Sequence, residues 1–415
     1  MADDATHTFE AAREEAYATP LDELDVAVGE RFRDNTMWPF FERLRNEDPV
    51  HYTPHSEFGP YWSITKYNDI MAAETNHAVF SSEGGVTIFE SADDFQMPMF
   101  IAMDPPKHDA QRKVVSPIVS PHSLVEMEPI IRERAGRILD ELPIGETFDW
   151  VDRVSIELTT QMLATLFGFP FEERRKLAYW SDLATTDMSE TMTQEEVRAE
   201  LIGCAMYFQK LWNDRANEPP THDLISMLSR GDSTRDMPFM EFLGNILLLI
   251  VGGNDTTRNS ISGALHAFNQ YPDQLARLRA NPELMPGAIS EIIRWQTPVA
   301  HMRRTALEDI AFQGKHIRKG DKVVMWYVSG NRDETVIDRP HDLIIDRERP
   351  RQHLSFGFGI HRCVGNRLAE MQLRVVWEEI FKRFPVIELM GEPVRLKSCF
   401  LRAYRGMPVR IPARV

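Results

Sequence analysis

Cys363 lies in Phe356-Gly357-Phe358-Gly359-Ile360-His361-Arg362-Cys363-Val364-Gly365, a turn-forming run that leads straight into an apolar-periodic helix. Backbone N–H groups at a helix start lower a thiol's pKa and favour thiolate, the form that binds metals. Gly357, Gly359 and Gly365 are small enough to let a flat group approach the sulfur. A lone cysteine after a Gly-rich turn is more often a buried free thiol, so the ten-residue pattern carries the argument. Three other constellations stand out. Asp255-Thr256 sets an acid beside an alcohol, a pair able to hold and relay water-borne protons. His108 and Arg112, at i and i+4 after Asp104-Pro105-Pro106, can point two cations the same way from one helix start. Glu291 and Arg294 lie three apart and can pair on one helix face.

The elements that must position these residues are mostly helical. Apolar residues recur at helical spacing over Trp38–Asn46, Leu124–Leu142, Ser155–Leu166, Gln194–Ala216, Met240–Asn269, Pro272–Ala280, Met285–Arg294 and Arg367–Arg383. Short strands are expected at Val50–Tyr52, Tyr61–Ile64, Ile310–Phe312, Lys322–Tyr327, Val394–Leu396 and Met407–Ile411. The fold class is therefore mainly α with small β-sheets, an α+β chain. The Met240–Asn269 helix would cross the whole molecule, at roughly 45 Å. Its middle, Gly252-Gly253-Asn254-Asp255-Thr256-Thr257, is a poor helical sequence, since each glycine costs about 1 kcal/mol against alanine. Something must offset that cost.

With 43% hydrophobic and 27% charged residues over 415 positions, the chain can bury a large core. No linker or repeat marks a boundary, so residues 1–415 read as one domain, with about residues 1–20 as a flexible N-terminal segment. Its apolar runs fall far short of the roughly 20 residues that span a bilayer. The N-terminus is acidic, unlike a secretory leader, and three scattered cysteines suit a reducing cytoplasm. Net charge −16 argues against nucleic acid. Charge is uneven: residues 1–50 carry 13 acids and 5 bases, residues 351–415 carry 5 acids and 12 bases. The basic end is either a solvated face or a docking site for an acidic partner.

The pattern Phe-x-x-Gly-x-His-x-Cys-x-Gly over residues 356–365 resembles the haem-binding loop of the cytochromes P450, and the resemblance runs over nearly the whole chain. It implies the P450 fold with its long central I helix, haem b, O2 activation and Cys363 as the iron's thiolate ligand. Phe356 and Gly357 then belong to the cofactor-binding loop. Glu291 and Arg294 match the Glu-x-x-Arg of the K helix, a buried scaffolding pair. His108, Arg112, Arg304 and His361 match the customary ligands of the haem propionates, with Arg303 adjacent to Arg304 and easily confused with it. Asp255 and Thr256 match the acid and alcohol pair that delivers protons, and Gly252 and Gly253 would leave room for dioxygen. Asn331-Arg332-Asp333, Pro340 and Asp346-x-x-Arg349 match a structural stretch, with Ile345 in place of a phenylalanine.

Within the family, Leu249–Ser260, His353–Glu370 and Pro298–Ala306 resemble the bacterial alkane and fatty-acid terminal hydroxylases. That implies attack on a terminal methyl of a hydrophobic chain, a terpene or steroid being the alternative. The expected substrate lining is apolar: Val86, Ile88, Phe89, Met97, Phe100, Leu249, Gly252, Val299, Ala300, Met302, Phe400 and Leu401. The acids Glu83, Glu90, Asp93 and Asp94 near the expected entrance would repel a carboxylate. Electrons from NAD(P)H must arrive through separate proteins, which the family makes a ferredoxin and its reductase. The expected docking site is the basic surface at Arg362, Arg367, Arg112 and Lys113. The chain is expected to act as a monomer. A peroxygenase or a non-enzymatic haem protein would not need Asp255-Thr256, and a zinc enzyme would need more ligands than His361 and Cys363.

Overall fold

The computed structural model describes residues 2–90, 94–189 and 191–415, with side chains from residue 8 onward. Helices dominate, and the longest, Phe239–Gln270, runs through the core with twenty-two of its 32 residues buried. Its apolar positions pack against Glu157–Phe167, Arg175–Thr185, Gln194–Ala216 and Met285–Gln296. Glycines let neighbours close on it. A Cβ at Gly244 would stand 2.2 Å from the Pro98 carbonyl oxygen, and one at Gly263 2.4 Å from Gln296 Oε1. Met285–Gln296, with Glu291 and Arg294 on one turn, and Asn366–Arg383, which follows the cysteine loop, complete the helical core.

The largest sheet has five strands in the order Val50–Thr53, Tyr61–Ile64, Lys322–Met325, Met302–Ala306, Phe80–Ser81. Only the Tyr61–Ile64 and Lys322–Met325 pair is parallel. The expected helices and strands are present with shifts of a few residues. The strand Met302–Ala306 and the helix Tyr67–Thr75 carry no clear period and escape a reading of the sequence, which also misses the amphipathic helix Arg175–Thr185. Residues 2–18, expected as part of a flexible segment, form a helix. Ala12 and Ala16 are buried, and Arg43 donates to the carbonyls of Ala16 (2.5 Å) and Thr19 (2.6 Å), which ties that helix down despite its acidic composition. Among the described residues no helix is long and apolar enough to cross a membrane.

Buried histidines make this fold sensitive to acid. His301 is fully buried, accepts from Ile88 N at 3.1 Å and lies 2.9 Å from the Cys399 carbonyl, an arrangement that needs neutral imidazole. Burial pulls His301 down to about 4, and His266 and His353 to about 3, the latter two also facing arginines. Because the folded values lie below the unfolded one of about 6.5, their contribution to stability is complete above that pH and is lost as pH falls below it. The unfolding free energy from urea titrations should therefore drop by on the order of several kcal/mol between about pH 7 and 5, and His301→Gln should remove its share of the slope.

Candidate functional site

The cysteine loop is pinned from outside. Cys363 N donates to the Phe356 carbonyl at 2.8 Å, closing the turn, while Gly357 and Gly359 adopt φ of +63° and +66°. A Cβ at Gly359 would also stand 2.6 Å from the Glu74 carbonyl oxygen, so the position needs glycine twice over. Phe356 packs against His353 and the main core. Cys363 is exposed, and a Cβ at Gly365 would meet nothing within 4 Å. The thiol stands two residues before the N-cap Gly365, and protein packed around it pushes it up, outweighing the expected help from the Gly365 N–H at the helix start and the pull of Arg112 and Arg362.

Beside the cysteine lie unsatisfied donors. The His108 and His361 rings are 4.2 Å apart, and His108 Nε2 and His361 Nδ1 are buried without a partner. Ser82 Oγ, 2.9 Å from His361 Nε2, can donate to it and leave the proton on Nδ1. His108 Nδ1 faces Asp109 at 2.8 Å. Arg112 donates to the Arg362 carbonyl, so the helix Lys107–Val115 and the cysteine loop meet here. Strand alternation separates the two adjacent arginines. Arg304 pairs with buried Glu74 (3.2 Å) and, after burial, is the next cause holding His361 down, whereas Arg303 pairs with Glu90 (3.0 Å) on an outer cleft. The exposed sulfur, the open space at Gly365 and two orphaned imidazole nitrogens fit an iron porphyrin with two carboxylates. Among the described residues no cluster of three or more His, Cys, Asp or Glu could hold a bare metal ion.

Two residues that matter here were not singled out in the sequence. Glu74, 3% exposed, accepts from Phe358 N at 2.9 Å, from Arg304 and from the Tyr327 hydroxyl, and so joins the helix Tyr67–Thr75 to the cysteine loop. Nothing in its local spacing marks it. Arg347 Nε reaches Glu291 at 2.9 Å, and Glu291 also takes Arg294 in a fork at 2.7 and 2.8 Å. The pair is buried, and Arg294 goes on to donate to the carbonyls of Asn331, Pro340 and Asp342.

On the central helix the two glycines have different roles. A Cβ at Gly252 would meet nothing within 4 Å, while one at Gly253 would stand 2.7 Å from Leu163. Gly252 alone leaves space; Gly253 serves helix packing. Thr256 Oγ1 donates to the Gly252 carbonyl at 2.8 Å, the local bond that threonine commonly makes in a helix. Asp255 is fully buried, accepts from Thr185 (3.0 Å) and Asn254 (2.9 Å), and pairs with Arg258 at 2.9 Å. Arg258 also reaches Asp182, which is 42% exposed, so an ionic chain links solvent to Asp255. Burial raises the Asp255 carboxyl, with Arg258 opposing.

The expected substrate lining divides. Val86, Met97, Leu249, Gly252, Val299, Met302 and Phe400 keep some accessible surface. Ile88 and Ala300 are instead buried in a cluster with Phe40, Phe41 and Trp326, Phe100 in the main core, and Leu401 against Leu396 and Ala403. Phe89 is 40% exposed and stacks edge-on with Phe58 in the outer cleft. An apolar sequence does not say which void its side chains face. The expected acidic barrier is also altered: Glu90 is held by Arg303 and Lys322 (2.6 Å) and Asp94 by Arg198 (2.7 Å), while Asp93 lies outside the described residues. The C-terminal basic excess is largely spent internally, with Arg374, Arg383 and Arg410 paired to Glu128, Asp140 and Glu388. Arg362, Arg367 and Lys113 stay exposed.

A family model described as cytochrome P450 matches residues 204–403. The linalool 8-monooxygenase of Pseudomonas putida is 38% identical over 403 residues, which cover 94% of this chain and 99% of that one. A methyl-branched lipid omega-hydroxylase of Mycobacterium tuberculosis is 31% identical over 89% of this chain and 90% of its own. Among solved structures, CYP153D17 from Sphingomonas sp. PAMC 26605 superposes with a TM-score of 0.89 at 48% identity, covering 94% of this chain and all of the other.

Proposed function

The chain belongs to the cytochrome P450 family, and from that premise we propose that it is a terminal hydroxylase of linear alkanes or fatty acids. It is a P450 monooxygenase, with haem supplying the iron chemistry that activates O2. In this reading the Cys363 sulfur holds the iron, and His108, Arg112, Arg304 and His361 hold the propionates, the orphaned imidazole nitrogens being the observation in favour. Asp255 holds a proton at its buried carboxyl and exchanges it with Asp182 on the solvent side when the Arg258 ion pair opens, Arg258 staying protonated throughout. Thr256 Oγ1 relays protons beside Gly252 once its bond to the Gly252 carbonyl is released.

The observation that carries the substrate reading is the partly accessible apolar set Val86, Met97, Leu249, Val299, Met302 and Phe400. Terminal C–H bonds are stronger than their neighbours, so selectivity must come from positioning, and in this proposal these side chains supply it. Glu90 and Asp94 are neutralised by cations, which removes much of the argument against a carboxylate chain. A terpene is the second reading, favoured by the 38% identical linalool 8-monooxygenase. Titrating the haem spin shift with linear alkanes, linear fatty acids, acyclic terpene alcohols and cyclic terpenes tests both. Response to the linear alkanes or fatty acids is expected, and response to terpenes alone would sink the proposal.

Electrons are supplied by a ferredoxin and its reductase in this proposal, the acidic ferredoxin docking on Arg362, Arg367 and Lys113. Reversing charge in Arg362→Glu with Lys113→Glu is expected to slow ferredoxin-dependent reduction about tenfold at low salt. The salt dependence should flatten with it. Stopped-flow reduction measured over a range of ionic strength checks this, and an unchanged salt dependence would rule the surface out.

A further inference from the structure

Away from the cysteine loop, a cavity of about 90 Å³ opens between the start of the helix Trp38–Glu47, the C-terminal end of the central helix and the C-terminal hairpin. Three arginines, Arg332, Arg395 and Arg402, line it together with Trp38, His266 and Tyr404, and among the described residues no aspartate or glutamate does. The guanidinium carbons of Arg332 and Arg402 sit 4.8 and 4.9 Å from the Trp38 ring centre, so one indole serves two cations. Their remaining bonds go to neutral carbonyls: Arg332 to Trp295 (2.7 Å), Arg402 to Gln296. Arg332 is 2% exposed, and among the described residues its Nε has no hydrogen-bond partner.

The carboxylates around the cleft are engaged mainly by other cations. Glu291 is held by Arg294 and Arg347, Asp34 by Arg33 at 2.7 Å with a weaker attraction to Arg395, and Asp342 lies 3.8 Å from Arg339. Cation–π contact offsets part of the burial of these charges, but it brings no negative charge. Buried charges in proteins are normally paired. Consistent with an uncompensated positive field, burial and the neighbouring Arg294 and Arg402 hold Arg332 well below its usual range, and Arg402 is brought down to about 10.

We propose that this cleft is a binding site for a small oxyanion of the phosphate or sulfate class. The anion completes the hydrogen bonding of Arg332 Nε and neutralises the three arginines. The cavity, at about 90 Å³, is several times the roughly 10–15 Å³ that a single water needs, which leaves room for a small tetrahedral anion. Arginine forks suit oxyanions in geometry as well as in charge.

The test uses the haem-loaded enzyme and inorganic phosphate, with sodium chloride at matched ionic strength as the reference. Phosphate should raise Tm saturably by about 2 °C beyond chloride, and calorimetry should read one phosphate per chain. Arg395→Gln should lose that increment; Arg395 is partly exposed and bonds no backbone carbonyl among the described residues, so the variant is expected to fold. Arg362→Glu, on the exposed surface beside the cysteine, should keep the increment. The proposal is overturned if phosphate does no more than chloride, if Arg395→Gln responds as the parent does, or if Arg362→Glu abolishes the effect. The calorimetric result on the parent enzyme decides independently of how any variant folds.

Discussion

Glu291→Leu is expected to lower the unfolding free energy by about 3–5 kcal/mol, because it leaves two arginines buried against the hole of a missing carboxylate. Glu291 is fully buried and takes both nitrogens of the Arg294 fork, Arg347 Nε and the Ile344 N–H at 2.9 Å. Arg294, 1% exposed, keeps its three carbonyl acceptors but loses its counter-charge. Such a loss is a large share of a net stability of about 5–15 kcal/mol. It falls on the segment that carries Asn331, whose side chain accepts from Leu354 N at 2.6 Å just ahead of the cysteine loop. Urea midpoints and haem retention during purification should both fall. Glu291→Gln, which keeps the acceptor but not the charge, should cost less. If Glu291→Leu unfolds at the parent's midpoint, the pair is not the brace described here.

Asp255→Asn is expected to slow substrate hydroxylation by about a hundredfold or more, the range of a positioned acid–base group, while leaving haem binding intact. The carboxyl is fully buried and connects to solvent through Arg258 and Asp182. Its raised pKa has a definite sign. The protonated form persists to a higher pH than in an ordinary carboxylic acid, so a rate that depends on that proton falls as pH rises through the raised value. The asparagine variant should lose that limb of the pH profile and show a larger solvent-deuterium effect. Retention of the parent's pH profile in Asp255→Asn would remove Asp255 from the proton route. Thr256→Ala should keep O2 consumption but divert reducing equivalents from hydroxylated product, measured as product formed per NAD(P)H oxidised.

The features legible in the amino-acid sequence are those whose partners are close along the chain. Cys363 with its glycines spans ten residues, Glu291 and Arg294 are three apart, and the central helix declares itself by period over some thirty positions. Local spacing and backbone geometry suffice for these. Tertiary structure decided the rest, because the deciding contacts join distant residues. Glu74 meets the Phe358 amide across 284 positions, and Glu90 neutralises Arg303 across 213. Arg303 and Arg304 are indistinguishable as neighbours until a strand turns them to opposite faces. The basic C-terminal stretch looks free in one dimension and is mostly paired in three. Ile88, Ala300 and Leu401 are apolar whether they face a substrate or a core, so only packing separates the two fates. The cysteine itself shows both sides. Its place in the loop was readable from glycines and a histidine two residues away, while the crowding that works against its thiolate comes from the folded protein around it.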